Sequence, residues 1–560
     1  MLEQHNHLWE KSYPRGVQWN EAVRAGSVSA LLDQTVKAFP QRPAFDFMGK
    51  KWSWEQIGAL VNRMAKGLHD LGVEKGSKVG ICLPNTPYFL IAYYAIAKTG
   101  ATIVNYNPLY SEKELAFQIE DSQTDLIITT DLKIVYEKMG KMLTDTRLNQ
   151  VVICPFKDIL PFPKNILFPL LKKKDVAVIP NDDRHVAFDK VIDNDGRFEE
   201  PLVSPRDDIA VLQYTGGTTG TPKGAMLSHE NVTANVEQVA LWLKKHAHPG
   251  QEKMVGVIPF FHVFAMTAVM NLSVRLGFEI IALPRFELEA TLKLIHKNKP
   301  HYLMAVPAIF NAINNSPLLD KYDLTSLRYC VSGGAPLPVE VRKKFEERTG
   351  CVVIEGYGLT ESSPVVCVNP PDGVNKPASI GLPLPNTIIE LRHPDTRELV
   401  PLGERGELCV RGPQVMKGYW NKPSETDNVL KDGLLRTGDV ALMDEDGYVF
   451  IVDRIKDLIL VNGYNVYPRN IEEAIYLHPT VEECIVAGVP DEGRGEVPKA
   501  WIKLKDGRKL SEIEIKEFLK DKLSPIEMPR HIEFRANPLP KTMIGKLSRK
   551  DILAEDKAGR

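Results

Sequence analysis

Residues 214–224 crowd together the groups that grip an anion: Thr215, Gly216, Gly217, Thr218, Thr219, Gly220, Thr221, Pro222 and Lys223 follow Tyr214 in an unbroken run. Glycines let backbone N–H groups approach an anion closely and form a concave nest. The threonine hydroxyls add donors, and Lys223 supplies a cation for phosphate oxygens. The spacing is not that of a Walker A loop, because Gly224 stands where Ser or Thr must follow the lysine. No G-x-G-x-x-G occurs either; Gly356 and Gly358 are followed by Glu361 where the third glycine belongs. A plain surface turn needs no such density of hydroxyl, glycine and lysine, so the loop reads as a phosphate cradle.

Other residues carry chemistry less distinctly. Tyr357 beside Gly358 can stack on a purine, Thr360 can donate to a phosphate, and Glu361 can hold a hard cation such as Mg²⁺. The same residues also suit a strand end with a packed tyrosine. Asp439 follows a tight turn, where it can accept ribose hydroxyls or simply close an Asx turn. His262 lies in an aromatic stretch with Phe260, Phe261 and Phe264, as a pocket group or a packed core histidine. Lys456 and Lys546, on their residues alone, read as solvated surface charges.

These residues need a scaffold. The chain has 560 residues, too many for one hydrophobic core. Apolar runs at 78–84, 101–107 and 124–130 alternate with a helical stretch at 86–98 and a capping box at Ser111–Glu114, which implies parallel βαβ units. The rhythm returns from 254 to 358, so two doubly wound α/β halves are expected. Between 380 and 450 short alternating runs with Gly and Pro predict a small β subdomain. A compact α+β module is expected from 453 to 560, with residues 1–452 forming the large N-terminal domain and the boundary at 453–457.

Net charge is −2, which gives no global basic field and no argument for nucleic acid. The seven cysteines are dispersed without a C-x-x-C pair, suggesting buried free thiols in a reducing compartment and no zinc site. The first residues have no apolar h-region. The longest strongly apolar run, 88–97, is half the roughly 20 residues needed to cross a bilayer. The expected location is the cytoplasm, compatible with peripheral contact on the inner face of a membrane. Residues 156–174, FKDILPFPKNILFPLLKKK, are apolar, proline-broken and basic at the end. They admit a membrane-surface contact or an excursion packed on its own domain; the prolines oppose one continuous amphipathic helix.

The run YTGGTTGTPKGAMLSH resembles the phosphate-binding signature of adenylate-forming enzymes, and further motifs continue the resemblance in order over nearly the whole chain. The resemblance implies ATP, Mg²⁺ and coenzyme A as cofactor and co-substrates. YGLTE, containing Tyr357, Gly358, Thr360 and Glu361, looks like the family's adenine and Mg²⁺ motif. Gly333 and Gly334 look like the segment lining the adenine and acyl pocket. Asp439 resembles the ribose-binding aspartate, Arg454 its neighbouring arginine, and Lys456 the hinge about which the small domain rotates. Gly463 and Tyr464 look like part of the pantetheine tunnel, and Lys546 like the C-terminal catalytic lysine. Thr215 and Glu361 would join Lys546 at the reacting phosphate.

His262, Phe264 and Met266 match the acyl-pocket motif, with His262 near the substrate carboxylate. Peptide-synthetase adenylation domains place an aspartate at the His262 position, so an amino-acid substrate is disfavoured. Met266 stands where some long-chain enzymes carry a gating tryptophan, which puts that gate in doubt. The whole chain is most similar to bacterial long-chain fatty-acid–CoA ligases, which implies an acyl-adenylate intermediate and fatty acid, ATP and coenzyme A as partners. A homodimer is compatible with this. Competing expectations are delivery of the acyl-adenylate to a carrier protein, an aromatic or medium-chain acid, and a catalytically dead binding relative.

Overall fold

The structure is a computed structural model, describing residues 7–215, 222–462, 464–491, 493–542 and 546–558. Four sheets organise these residues. Continuous apolar runs without alternation become central strands buried on both faces, as parallel sheets require. The run at 78–84 yields Lys78–Ile81, which pairs in parallel with Thr102–Asn105 and Leu126–Thr130. Ile209–Tyr214 extends this seven-stranded sheet in parallel, and Gly224–Ser228 closes its edge antiparallel. A nine-stranded sheet carries Lys253–Gly256, Glu279–Ala282, Tyr302–Ala305, Tyr329–Ser332 and Val352–Gly358 as its parallel centre.

Pro87–Lys98 is buried along all twelve residues. A helix apolar on every side belongs in the interior. Its one charge, Lys98, is met by Asp33 at 2.8 Å and Glu200 at 2.9 Å. Ser111 and Glu114 form the capping box that their spacing predicts, opening Glu112–Ser122.

The helix His229–Trp242 follows the edge strand Gly224–Ser228 directly and is almost wholly buried. Its polar side chains are used as staples. Asn231 donates to the Pro413 carbonyl, Asn235 to that of Val365 and Gln238 to that of Pro385. Buried amides are costly unless paired, so these bonds tie the helix to Val365 of the nine-stranded sheet and to the segments at Pro385 and Pro413 that flank the third sheet.

That third sheet is small and antiparallel. It runs from Ile388–Arg392 to Val449–Arg454, with Gly406–Arg411 and Leu434–Met443 between them. The pair Leu382–Pro383, inside the 380–450 stretch, instead joins the nine-stranded sheet through Val365–Val368. After Arg454 the chain makes a single turn, Ile455–Asp457, and enters a fourth sheet. Val481–Asp491 and Gly495–Leu504 are its long central hairpin, and His531–Arg535 adds in parallel.

All seven cysteines are buried and unbridged. No helix among the described residues is long and apolar enough to cross a membrane.

Candidate active site

The glycine-rich loop is the connection between two antiparallel strands, Ile209–Tyr214 and Gly224–Ser228. Gly216, Gly217, Thr218, Thr219 and Gly220 lie outside the described residues, so only the neck of the loop is on view. There the Thr215 N–H donates to the Lys223 carbonyl at 2.9 Å. Lys223 pairs with Glu425, and its ammonium stands 5.2 Å from the centre of the Tyr419 ring. The Tyr419 hydroxyl donates to Glu361 Oε1 at 2.6 Å. A cation, an aromatic ring and a carboxylate from three distant stretches therefore meet at the mouth of the loop.

Glu361 sits in a single turn, Thr360–Ser362, after the strand Val352–Gly358. Gly358 is needed for that turn. A Cβ there would lie 2.1 Å from the Pro364 carbonyl oxygen, well inside any tolerable contact. No cluster of three or more His, Cys, Asp or Glu side chains forms among the described residues. A cation here would therefore depend on few protein oxygens. Glu361 fits that role, because Mg²⁺ is usually held by one or two carboxylates together with substrate phosphates.

Asp439 and Arg454 are register partners on neighbouring antiparallel strands. Arg454 Nε lies 3.0 Å from Asp439 Oδ1, and the Tyr357 hydroxyl donates to Oδ2 at 2.5 Å. Burial and the Asp439 charge push the Tyr357 phenol well above its ordinary pKa, so it stays a neutral donor.

Lys546 comes to this same group from the stretch just before the C-terminal helix Arg549–Ala558. Burial first, and then the positive charge of Arg454, lower its pKa to about 8, with Asp439 pulling the other way. Its backbone N–H donates to Thr542 Oγ1 at 3.2 Å. Three residues on, Arg549 binds Glu472 at 2.7 Å, Asp457 of the connecting turn at 3.1 Å and the Val486 carbonyl at 2.9 Å.

His262 caps the short helix that begins at Val263, its Nδ1 accepting from the Phe264 N–H at 3.3 Å. With Nδ1 an acceptor, the proton of a neutral ring belongs on Nε2. Burial lowers His262 to about 4, so the ring is neutral near pH 7. The Phe264 ring presses on Gly333, 3.1 Å from where a Cβ would stand.

One cavity of about 3020 Å³ is lined by Thr215, Lys223, His262, Phe264, Gly333, Gly334, Tyr357, Gly358, Thr360, Glu361, Asp439, Arg454, Lys456 and Lys546. Its wall also includes the apolar Val239, Trp242, Leu243, Val263 and Met304. Met266 is not in that lining: it is fully buried, with its sulfur 3.4 Å from the Asn105 amide nitrogen. Tyr464 is 65% exposed and also off the cavity, and Gly463 is outside the described residues. Sequence reasoning missed Tyr419, Glu425 and Arg549. None of them sits in a local motif; each is revealed only by contacts across long sequence separations, such as the bridge between Ala225 and Tyr419.

Residues 32–420 match the family model for the AMP-binding enzyme, and residues 470–546 that for the AMP-binding enzyme C-terminal domain. The chain belongs to the AMP-binding enzyme family. Among this family's curated members, a long-chain-fatty-acid–CoA ligase of Bacillus subtilis is 45% identical over 98% of both chains. One from Escherichia coli is 36% identical, again over 98% of both. Among solved family structures, ATP-bound MatB from Rhodopseudomonas palustris superposes with a TM-score of 0.83 at 27% identity, covering 95% of this chain and 99% of its own.

Proposed function

We propose that this chain activates a long-chain fatty acid with ATP and transfers the acyl group to coenzyme A. The observation that carries the reading is the meeting, in the lining of one cavity, of cationic and hydroxyl groups such as Thr215, Lys223 and Lys546 with the apolar Val239, Trp242, Leu243, Val263 and Met304. Such a cavity suits a substrate with a charged head and a fatty tail. The similarity to long-chain-fatty-acid–CoA ligases over nearly the full length supports the same substrate class.

A carboxylate is a poor acyl donor because its leaving group would be oxide or hydroxide. In the first half-reaction one carboxylate oxygen attacks the α-phosphorus of ATP, and the bond to the pyrophosphate bridging oxygen breaks. Positioning and charge neutralisation dominate such a step. The loop neck at Thr215 and Lys223 holds the triphosphate, and Asp439 accepts from the ribose hydroxyls. Lys546, cationic below about pH 8, offsets charge developing at the α-phosphate. The neutral His262 ring donates from Nε2 toward the acid's carboxylate without forming a competing ion pair. Mg²⁺, held by Glu361 and the phosphates, would supply further neutralisation of the leaving pyrophosphate.

In the second half-reaction the thiol of coenzyme A attacks the acyl carbon, its proton is lost to solvent, and AMP departs. No enzyme nucleophile is needed, which agrees with seven buried thiols.

The test is product analysis over acetate, octanoate, palmitate, oleate and coumarate, with either coenzyme A or a holo-carrier protein as acceptor. AMP, pyrophosphate and acyl-CoA should appear together, best with palmitate or oleate. A preference for coumarate, or transfer only to the carrier, would overturn the substrate or acceptor assignment.

A further inference from the structure

The helix Lys164–Leu171 contributes no buried residue. Phe162 just before it is 79% exposed, and Ile166, Leu167, Leu170 and Leu171 are 55%, 43%, 71% and 76% exposed. At about 100° per residue the four helical ones cover a single arc of about 140°. Phe168 points the other way and anchors the helix: its ring meets Phe156 at 5.3 Å, and Phe156 meets Phe47 edge-on at 5.8 Å. The prolines do break the segment, as its sequence predicts. A 3₁₀ turn, Phe156–Ile159, precedes the helix, and Pro169 lies within it. They leave enough helix to gather the apolar side chains on one side. Large apolar residues scattered singly over a surface need no explanation, but a contiguous group does.

Charge decides what covers it. Residues 156–174 carry five lysines against one aspartate, a local net charge of +4 in a chain whose total is −2. Lys157, Lys164, Lys172, Lys173 and Lys174 are all exposed, at the two ends of the apolar arc. Among them Lys172 meets Asp175 at 3.6 Å in a fully solvated pair.

We propose that residues 156–174 dock the protein on a bilayer surface carrying anionic lipid. Ile166, Leu167, Leu170 and Leu171 enter the acyl boundary while the flanking lysines reach lipid phosphates, the arrangement that interfacial amphipathic helices use. Two helical turns bury little apolar area, so the attachment is reversible and needs both signals. Its electrostatic share weakens as salt rises. The inference stands on the exposed segment and does not depend on which acid the active site takes.

Full-length protein is floated with phosphatidylcholine vesicles and with vesicles containing phosphatidylglycerol, at low and high salt. Binding to the anionic vesicles should exceed that to the neutral ones at least tenfold and fall with salt. The paired change Leu170→Asp and Leu171→Asp, and separately Lys172→Glu with Lys173→Glu and Lys174→Glu, should each reduce it at least tenfold. Both variants alter only exposed side chains, so octanoate activation should persist and report intact folding. Wild-type protein indifferent to anionic lipid, or variants that still bind it, would overturn the proposal. So would sedimentation velocity showing a dimer that the Leu170→Asp, Leu171→Asp change dissolves, since a second copy would then cover the arc.

Discussion

Lys546 is the residue to which the proposed mechanism gives the decisive charge, and its surroundings predict a pH signature. Its pKa is lowered to about 8, first by burial and then by Arg454. With the cation as the proposed working form, activity should be retained below that value and lost as pH rises through it. The rate constant kcat/KM for ATP reports the free enzyme and should decline above about pH 8. Bound triphosphate would stabilise the cation, so the decline in kcat should lie at higher pH. A Lys546→Arg enzyme should lack the alkaline limb altogether, because guanidinium does not titrate there. Gly358 allows a simpler test. A Cβ 2.1 Å from a backbone carbonyl cannot be relieved by a rotamer change. Gly358→Ala should cost roughly 1–3 kcal/mol in urea unfolding and raise the KM for ATP by moving Thr360 and Glu361.

At the scale of elements, the C-terminal domain is held to its connecting turn by Arg549. One guanidinium serves Glu472 and Asp457, with Asp453 3.9 Å away. Removing it leaves a group of carboxylates without their cation in a largely buried place, where desolvation already raises Glu472 and Asp453. Arg549→Ala should cost about 1–3 kcal/mol of C-terminal stability by thermal unfolding. It should also slow adenylation more than thioester formation, because Lys546 is three residues away on the same segment. Arg549 shows where sequence reading stops. Local signals were enough for the apolar strand runs and the Ser111–Glu114 capping box, since each depends on residues a few positions apart. The contacts of Arg549, Tyr419 and Glu425 join stretches up to hundreds of residues apart, and no local spacing encodes them. The hairpin strands Ile459–Val461 and Tyr464–Val466 were missed for a related reason. Three-residue strands give too short a period to read. Met266, buried and off the cavity lining, shows the same limit, because an apolar residue beside a pocket motif has the same sequence pattern whether it faces a ligand or the core.

For the whole molecule, the proposed reading is two half-reactions served by one domain that turns between them. The cavity is completed by Lys546 from the C-terminal domain and by Asp439 and Arg454 from the small antiparallel sheet. This is the arrangement the adenylation step needs. If coenzyme A is to reach the acyl carbon afterwards, a turn of the domain about the proposed hinge at Ile455–Asp457 would open the way. Lys456 is exposed there and lines the cavity. Lys456→Pro fixes φ near −65° and restricts the preceding residue. That variant should keep adenylation within a few-fold of wild type while thioester formation falls at least tenfold, as measured by single-turnover kinetics. Equal loss of both steps would remove the hinge from this position.

If the lysine of the C-terminal domain stabilises attack of a fatty carboxylate on the α-phosphorus of ATP, its removal slows that step and spares the next. Palmitate-dependent exchange of labelled pyrophosphate into ATP, with coenzyme A omitted, isolates that step in the wild-type and Lys546→Ala enzymes. The wild type should exchange only when palmitate is present, and the variant on the order of 10²–10³ more slowly, while still converting supplied palmitoyl-adenylate to the thioester. Exchange without palmitate, or a variant as fast as wild type, would contradict the claim.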